Sequence, residues 1–372
     1  MTSHQPADRG SAPVLPSPGR PPRTARLNAS AVVLWRAPGM LQLELGARRV
    51  VIDNVRPEQM STLLARGDGG TRPAGSTRAG LSDPSTVALA NALTTAGFVT
   101  TRAPHELHGQ PDGPLPAQLG PELGALTGRH GDGAAAMLAR RRSAAVAVHG
   151  TSRITVSIAT TLASAGVGWV QLVHGGEVSA GDVCPGGLEP SDEGARFGIA
   201  GVQTIRRYAP DADTTPIPRS RFTDLVILTD PLPVEPSVRA SLHLDGLAHL
   251  SATVDGSRAV IGPLVVPGVS SCLRCADLHR CERDPCWPSL AVQLSSRLRQ
   301  RSGSDVALCV AAAGLAAGQA LAYLDQQGPE TLNATLEWQL PEWRLRRRSW
   351  LPHHDCDCGA STRTEKHGRM GS

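Results

Sequence analysis

The sequence predicts an α/β protein, with a doubly wound, mostly parallel sheet that ends in a cysteine-rich knuckle and follows a small winged-helix-like α+β module. Three observations predict this architecture. Buried strands alternate with helices in the second half of the chain. Three short β-rich runs precede two helices in the first third, and cysteines recur in two close pairs near the end. A chain of 372 residues has room for both bodies.

Composition excludes several classes of partner. Aromatic residues make up 3% of the chain, too few for the stacking platforms of single-stranded nucleic acid binding, so we expect no nucleic acid partner. The net charge is +4, and the only lysine is Lys366. The first residues lack the apolar core of a signal peptide. The long apolar run Val306 to Leu324 is rich in alanine and glycine, which favours a buried helix over a membrane span. We therefore expect a cytoplasmic protein without a membrane partner.

The N-terminal part is expected to contain a small separate module. Residues 1–26 are rich in proline and arginine and predict a disordered lead. Residues 27–104 predict the winged-helix-like module, because "SAVVLWRAPGMLQLELGARRVVIDN" contains three β-rich runs separated by turn signals. Two helices follow, "RPEQMSTLLAR" and "PSTVALANALTTAGFV". Residues 105–133 are rich in Pro, Gly and His and are expected to be a linker.

Residues 134–359 predict the α/β domain, and 360–372 a disordered tail. "SAAVAVHG" is a buried strand, "TSRITVSIATTLASAG" a helix with Thr151 as its N-cap, and "WVQLVHG" a second strand, which together make a βαβ unit. "TDLVILTD" adds a strand, and "HLDGLAHLSATVDG" and "AVIGPLVVPG" add further β structure. This alternation predicts a parallel, doubly wound sheet.

Two cysteine pairs predict a structural zinc site. Four thiolates from two short-spaced pairs suit tetrahedral zinc, and they leave no coordination position open for catalysis. Two cysteines and two histidines nearby remain alternative ligands, whereas Cys184 and Cys309 are expected to be apolar fillers. The predicted ligands are Cys272, Cys275, Cys356 and Cys358, and the alternatives are Cys281, Cys286, His353 and His354.

Several of these stretches resemble a known family. "AGVGWVQLVHGGEV", "TDLVILTD" and the paired cysteines resemble the ThiF/MoeB-type adenylyltransferases, bacterial relatives of the ubiquitin-activating enzymes. "GPLVVPGVSSCLRCADLHRCERDPCWPSL" with the closing "HHDCDC" resembles, more closely, the actinobacterial cyclodehydratase-type ThiF proteins that bind the leaders of azole-peptide precursors. The resemblance covers about Ala144 to Gly359. It implies that the N-terminal module binds the leader of a ribosomally made peptide.

The resemblance also implies a nucleotide site, which this chain carries in degraded form. In the family, a glycine-rich turn after the first strand cradles the phosphates. Here "GTSRIT" keeps Gly150 but has Arg153 and other side chains at the glycine positions. His174 and Gly176 stand where the family holds the ribose with carboxylates, and Lys366 is too far along the chain to replace the family's lysine. Charge-assisted contacts are worth about 1.5–3 kcal/mol each, so losing three weakens binding by more than about a thousandfold.

Asp230 matches the family's magnesium-binding aspartate and is the only catalytic candidate. Its alternative role is to start the turn at Pro231. Gly150, Arg153 and Asp230 therefore form a vestigial nucleotide site, at which we expect binding of ATP and magnesium to be weak or lost.

The third β-rich run is the candidate peptide-binding edge. A peptide can add a strand to an open sheet edge through main-chain hydrogen bonds, and the arginines of this run suit an acidic leader. The alternative is an ordinary solvated hairpin strand. The residues concerned are Arg48, Arg49, Val50, Val51 and Ile52.

Together these features predict a protein that binds a precursor leader and presents it to a YcaO-type cyclodehydratase in azole-peptide (bacteriocin-like) biosynthesis. The alternative is an active adenylyltransferase that uses ATP and magnesium on a carboxylate. ThiF relatives also suggest a homodimer, by analogy alone.

Overall fold

The computed structural model describes residues 26–27, 32–43, 49–59, 84–95, 98–100, 116–230, 233–297 and 303–360. By contacts the chain divides into two compact units, Met1–Pro114 with Leu123–Ala135, and Leu115–Glu122 with Ala136–Ser372. Almost all of the predicted lead and tail lies outside the described residues.

The first unit contains a three-stranded antiparallel meander. The strands run in the order β2-β3-β4, as the three β-rich runs predict. A separate pair joins β1 to β5. The elements are β1 (Arg26–Leu27), β2 (Val33–Ala37), β3 (Met40–Leu43), β4 (Val50–Ile52), α1 (Pro84–Thr95) and β5 (Val99–Thr100).

A small apolar core joins the meander to α1. Leu41 and Leu43 of β3 pack with Leu89 and Leu93 of α1 and with Phe98, because alternate strand residues and helix residues four apart each share one face. Of the first predicted helix, residues 56–59 are described, and residues 57–59 are helical. The winged-helix arrangement therefore stays a prediction.

Two helices precede the large sheet, α2 (Gly120–His130) and α3 (Ala134–Ser143). Residues of the predicted linker thus form a helix, although glycine and proline are common there. Pro121 stands in the first turn, where its missing N–H costs nothing. Leu123 and Leu126, three residues apart, are buried on one face.

The second unit is built on a seven-stranded sheet of order β12-β11-β10-β9-β8-β6-β7. Its strands are β6 (Ala145–His149), β7 (Trp169–Val173), β8 (Leu225–Leu228), β9 (His249–Asp255), β10 (Arg258–Val265), β11 (Ala334–Gln339) and β12 (Arg346–Ser349). Its further helices are α4 (Thr155–Ser164), α5 (Phe197–Tyr208), α6 (Pro236–Leu244), α7 (Leu273–Arg283), α8 (Trp287–Arg297) and α9 (Val306–Leu324).

The strands β7, β6, β8 and β9 are parallel neighbours, as the alternating pattern predicts. The chain goes from β6 through α4 to β7 on one side, and then crosses to β8 on the other side of β6. Helix α4 begins at Thr155 and has Ile154 at its N-cap position, so the predicted N-cap Thr151 is wrong. Residues 152–154 form a turn before the helix instead.

The other half of the sheet is antiparallel. β9 pairs with β10, β10 with β11 and β11 with β12, each antiparallel. The sheet is therefore mixed, with three parallel and three antiparallel pairs.

Helix α9 covers one face of this sheet. It is the one helix among the described residues that is long and apolar enough to cross a membrane. Its Leu308, Cys309, Ala312 and Ala316 are nevertheless buried in the main core with residues of β9 and β10, and small alanines let the helix lie close to the strands. The predicted core role of the run Val306 to Leu324 is confirmed.

Candidate functional site

The carboxyl ends of β6 and β8 form the crevice at which an open α/β sheet takes up ligands. The chain crosses from β6 to β7 on one side and then from β7 to β8 on the other side of β6, so this is the topological switch point of the sheet. Gly150 directly follows β6, and Asp230 stands two residues after β8. Both predicted residues therefore lie at one edge of the sheet.

Gly150 is required by the geometry of this edge. Its φ is +116°, a backbone conformation that side chains rarely adopt. A Cβ here would lie 2.5 Å from Thr229 Oγ1 and 2.7 Å from Asp230 Oδ1. The first turn and the end of β8 are thus in contact through this glycine.

Asp230, which follows β8, forms a hydrogen bond with the turn after β6. Its Oδ1 accepts a hydrogen bond from the Thr151 backbone N–H at 3.2 Å, and the side chain is exposed. Thr229 Oγ1 lies 2.9 Å from the His149 carbonyl and 2.7 Å from Thr155 Oγ1. An N–H that a phosphate would use is therefore given to a carboxylate, which also repels an anion.

Arg153 is held away from Asp230. Its Nε donates to the Val183 carbonyl at 2.7 Å, and its Nη1 donates to the Ser304 carbonyl at 2.6 Å. The guanidinium ties two loops of the second unit together and does not reach across the turn. Arg196 and Arg206 are the two arginines that could take the place of the family's lysine, and Arg206 donates to Thr214 Oγ1 at 3.1 Å.

The end of β7 is closed by aromatic packing. The His174 ring lies 4.7 Å from the Phe197 ring, measured between centroids. A Cβ on Gly198 would lie 2.6 Å from the same imidazole. Burial lowers the pKa of His174, so the ring is held neutral. The position that would hold a ribose carboxylate therefore carries a packed, neutral side chain.

The four predicted zinc ligands come together. All four sulfurs lie within 4.8 Å of one another and all four residues are buried. The Sγ–Sγ distances are 3.8 Å for Cys272–Cys275, 3.6 Å for Cys272–Cys356 and 3.6 Å for Cys275–Cys358. Four sulfurs at ~2.3 Å from a central tetrahedral zinc stand ~3.8 Å apart. The cluster therefore has the size of a metal site, and the distances are far too long for disulfides.

Protons are shared unequally among these thiols. The Cys272 thiol donates to the Cys275 sulfur, which raises the pKa of Cys272 and lowers the pKa of Cys275 to about 4. Burial raises the pKa of Cys356 to about 12. A cation that prefers thiolates would displace these protons, so the buried cluster could bind a metal such as zinc.

The alternative ligands do not join this cluster. Cys286 is exposed and Cys281 half-buried. The Nδ1 of His353 accepts from the Asp355 N–H at 3.1 Å, so Nε2 carries the proton and donates to Glu282 Oε1 at 2.9 Å. The ring of His354 stacks on that of His353 at 4.5 Å.

The candidate peptide edge is partly described. Among the described strands, β4 pairs only with β3, so it lies at an edge of the meander. The side chain of Val51 is 39% exposed. Val50 and Ile52 face the small core, Arg49 is exposed, and Arg48 lies outside the described residues.

Sequence reasoning missed the threonines. Thr155 and Thr229 bridge the first turn and the end of β8, but threonine is too common beside strands to signal such a bridge. It also missed the two carbonyls that hold Arg153, since main-chain acceptors leave no mark in a sequence.

Known structures share this fold. No family model and no curated protein sequence matches the chain. The crystal structure of E. coli MccB with ATP is 14% identical, covers 90% of this chain and 99% of its own, and superposes with a TM-score of 0.65. The microcin C7 biosynthetic enzyme MccB in complex with N-formylated MccA is 14% identical, with the same coverage and a TM-score of 0.66. PaaA is 15% identical and covers 73% of this chain and 93% of its own, with a TM-score of 0.53.

At 14–15% sequence identity, the similarity to these structures shows a shared fold and not a shared function. It extends beyond the large sheet, because 90% of the chain is included. The chain therefore has the ThiF/MoeB-type fold that its sequence resembles.

Proposed function

We propose that this chain is a peptide-binding ThiF-type protein that has lost productive nucleotide binding and presents a ribosomally made precursor to a partner enzyme. The observation that carries the loss is the hydrogen bond from the Thr151 N–H to the Asp230 carboxylate. It engages a main-chain N–H of the first turn, at the switch point where a phosphate would need such donors.

Three further features support the loss of nucleotide binding. The Arg153 guanidinium is used by two main-chain carbonyls. His174 packs on Phe197 where a ribose would need a carboxylate. The one lysine of the chain is Lys366, outside the described residues.

Peptide binding is supported by the first unit and by the neighbours. Among the strands that the structure describes, β4 is a short edge strand with an exposed valine at its centre, which suits the addition of a peptide strand. MccB has been crystallised with its peptide MccA. We propose that residues 27–104 act as the recognition module and that Arg49 attracts acidic residues of a leader.

Nucleotide titration tests the loss of ATP binding. In isothermal titration calorimetry with ATP and magnesium, we expect no binding tighter than about 1 mM, since three lost charge-assisted contacts cost more than about a thousandfold. Micromolar binding, or ATP–pyrophosphate exchange, would contradict this proposal. E. coli MccB, crystallised with ATP, serves as the positive control.

The second candidate function is an active adenylyltransferase. The observation that favours it is the exposed Asp230 at the switch point, where a carboxylate suits a magnesium ion. It predicts pyrophosphate exchange that the variant Asp230→Asn abolishes.

We further propose that the four cysteines bind zinc in a structural role. Four thiolates complete the coordination shell, so zinc bound there would link the N-terminal end of α7 to the segment around Cys356. The side chain of Arg274 lies 2.5 Å from that of Asp357 and joins the same segments.

The partner enzyme we propose is of the YcaO type, acting in the cytoplasm, and a homodimer is proposed by analogy with ThiF proteins. A reading frame for such an enzyme and for a Cys/Ser/Thr-rich peptide beside the coding sequence would support the pathway. A labelled synthetic peptide from that frame, followed by fluorescence anisotropy, measures the binding directly.

A further inference from the structure

An arginine-lined cleft lies on the antiparallel half of the sheet, away from the sites described above. It has a volume of about 760 Å³. Five arginines and a single acidic residue line it: Arg258, Arg283, Arg346, Arg347, Arg348 and Glu337. It lies on β10 to β12, which are two to four strands away from β8, or roughly 10–19 Å at the usual strand spacing.

The arginines come from three separate elements. Arg258 belongs to β10, Arg283 ends α7, and Arg348 belongs to β12. The register pairs Glu337 with Arg346 and Thr335 with Arg348, so these β12 arginines share one face with Glu337.

Glu337 and Trp350 contact the arginines of this face. The Glu337 carboxylate accepts from Arg258 at 3.0 Å and lies 3.7 Å from Arg348. Trp350 is buried, and its indole N–H donates to Thr335 Oγ1 at 3.0 Å. Arg283 and Arg348 lie over its ring at 5.1 and 5.7 Å. The arginines are therefore anchored by their partners and remain exposed at the surface.

Protection of a sheet edge does not account for the whole cluster. Charged residues on an edge strand discourage pairing with other chains, and the arginines of β12 would suffice for that. Arg258 and Arg283 are not on the edge strand, yet they converge on the same face. Arg347 stands opposite Leu336, so it lies on the other face of β12, where it pairs with Glu330. Arg346 pairs with Glu342 and Arg258 with Glu337. Four arginines from three elements exceed these two carboxylates, so the face keeps a net positive charge.

We propose that this face binds an acidic peptide segment in extended conformation, which adds a strand to the free edge of β12. Among the described strands β12 pairs only with β11, so its outer edge has main-chain groups for a further strand. Residues of the added strand opposite Arg346 and Arg348 point to the cleft. The segment therefore carries Asp or Glu at every second position.

The chain's own ends do not fit this site. The first 26 residues contain four arginines and one acidic residue, and residues 361–372 contain Arg363, Lys366 and Arg369 against Glu365. Both ends are basic, so neither of them supplies the acidic segment, and the occupant we propose is an acidic segment of another protein.

Fluorescence anisotropy with a labelled peptide of alternating Glu and Thr, about ten residues long, tests the proposal. We expect binding to the full-length protein that weakens as salt rises from roughly 0.05 to 0.15 M. The variant R283Q/R348Q should weaken it by about tenfold or more. R219Q, at an exposed arginine in the loop before β8, should leave it unchanged. If the double variant does not fold, R348Q alone gives the comparison.

Three results would overturn the proposal. One is equal binding by the double variant and the wild type. Another is equal binding by a peptide of the same sequence with every backbone nitrogen methylated, since such a peptide cannot donate the main-chain hydrogen bonds of an added strand. The third is tighter binding of a single-stranded oligonucleotide of matched charge, which would assign the face to nucleic acid. None of these depends on β4 or on ATP, so failure here leaves the proposed function untouched.

Discussion

Gly150 and His249 show how single positions constrain the α/β unit. Gly150 joins two strands at the switch point because only hydrogen fits between Thr229 and Asp230. His249 begins β9 and is buried, with its Nδ1 donating to the Leu247 carbonyl at 2.9 Å. The need for glycine at the first turn can be predicted from the family resemblance. The contacts that impose it cannot, because they come from a strand about eighty residues away.

Gly150→Ala should destabilise the protein by about 1–3 kcal/mol, because the new Cβ adds strain and a clash. Gly314→Ala is the matched control. Gly314 lies in α9 with open space around its Cβ position, so alanine there should raise stability by about 0.5–1 kcal/mol. Urea denaturation followed by circular dichroism measures both. Equal effects of the two substitutions would show that the turn tolerates a side chain.

Stability should fall as the pH drops below the ordinary histidine pKa, in part because of His249. Burial lowers the pKa of His249, and the nearby His243 lowers it further against the Leu247 hydrogen bond. The stabilising neutral form is therefore fully present above the unfolded pKa of about 6.5 and is lost as the pH falls toward the folded value.

His249→Asn keeps a donor toward Leu247 but does not titrate. We expect the melting-temperature advantage of the wild type over this variant to shrink between about pH 7.5 and pH 5. An advantage that stays constant over this range would exclude His249 as a source of the pH dependence.

Among the elements, the strands from β6 to β10 were predictable, and β11 and β12 were not. β6, β7 and β8 are short apolar runs between helices, a pattern with few alternatives. β12 reads Arg-Arg-Arg-Ser, is exposed throughout, and has no periodicity that indicates a strand. Its structure comes from pairing with β11. The cleft was missed for the same reason, since its arginines converge only when the sheet is complete.

Cys275→Ser should remove bound metal and lower the melting temperature by several degrees, because a closed metal site stabilises the segments that it joins. Cys281→Ser is the control, since Cys281 lies outside the four-cysteine cluster. Elemental analysis of protein purified without added metal should give about one zinc per chain for the wild type and the control. A metal-free wild type with an unchanged melting temperature after chelation would argue for four unligated thiols.

At the scale of the whole molecule, we propose that the first unit recognises the peptide and that the second unit presents it to the partner enzyme. Their existence is predictable from composition, because turn-rich sequence separates the two strand-bearing regions. Their boundary is not predictable, since α2 forms within the stretch expected to be a linker. Helices that contain glycine and proline depend on tertiary contacts that a local pattern does not contain.

Val51→Asp should weaken precursor binding by about tenfold while leaving zinc content and the melting temperature of the second unit unchanged. Val51 is exposed on β4, so the substitution costs the fold little. Val173→Asp is the control, because it places the same charge at an exposed valine of the second unit. Thr335→Asp is unsuitable as a control because Thr335 is buried. Equal loss of binding in both variants would mean that added negative charge, and not the β4 edge, explains the effect.

The sequence distance between the paired cysteines also affects how the protein is made. Cys356 follows Cys272 by 84 residues, a delay of roughly 4–17 s at typical ribosomal rates of about 5–20 residues per second. During that interval the nascent chain exposes two thiols without their counterparts. Cells short of zinc, or under oxidative stress, should therefore accumulate chains damaged at Cys272 and Cys275 during translation, before the finished protein meets any peptide.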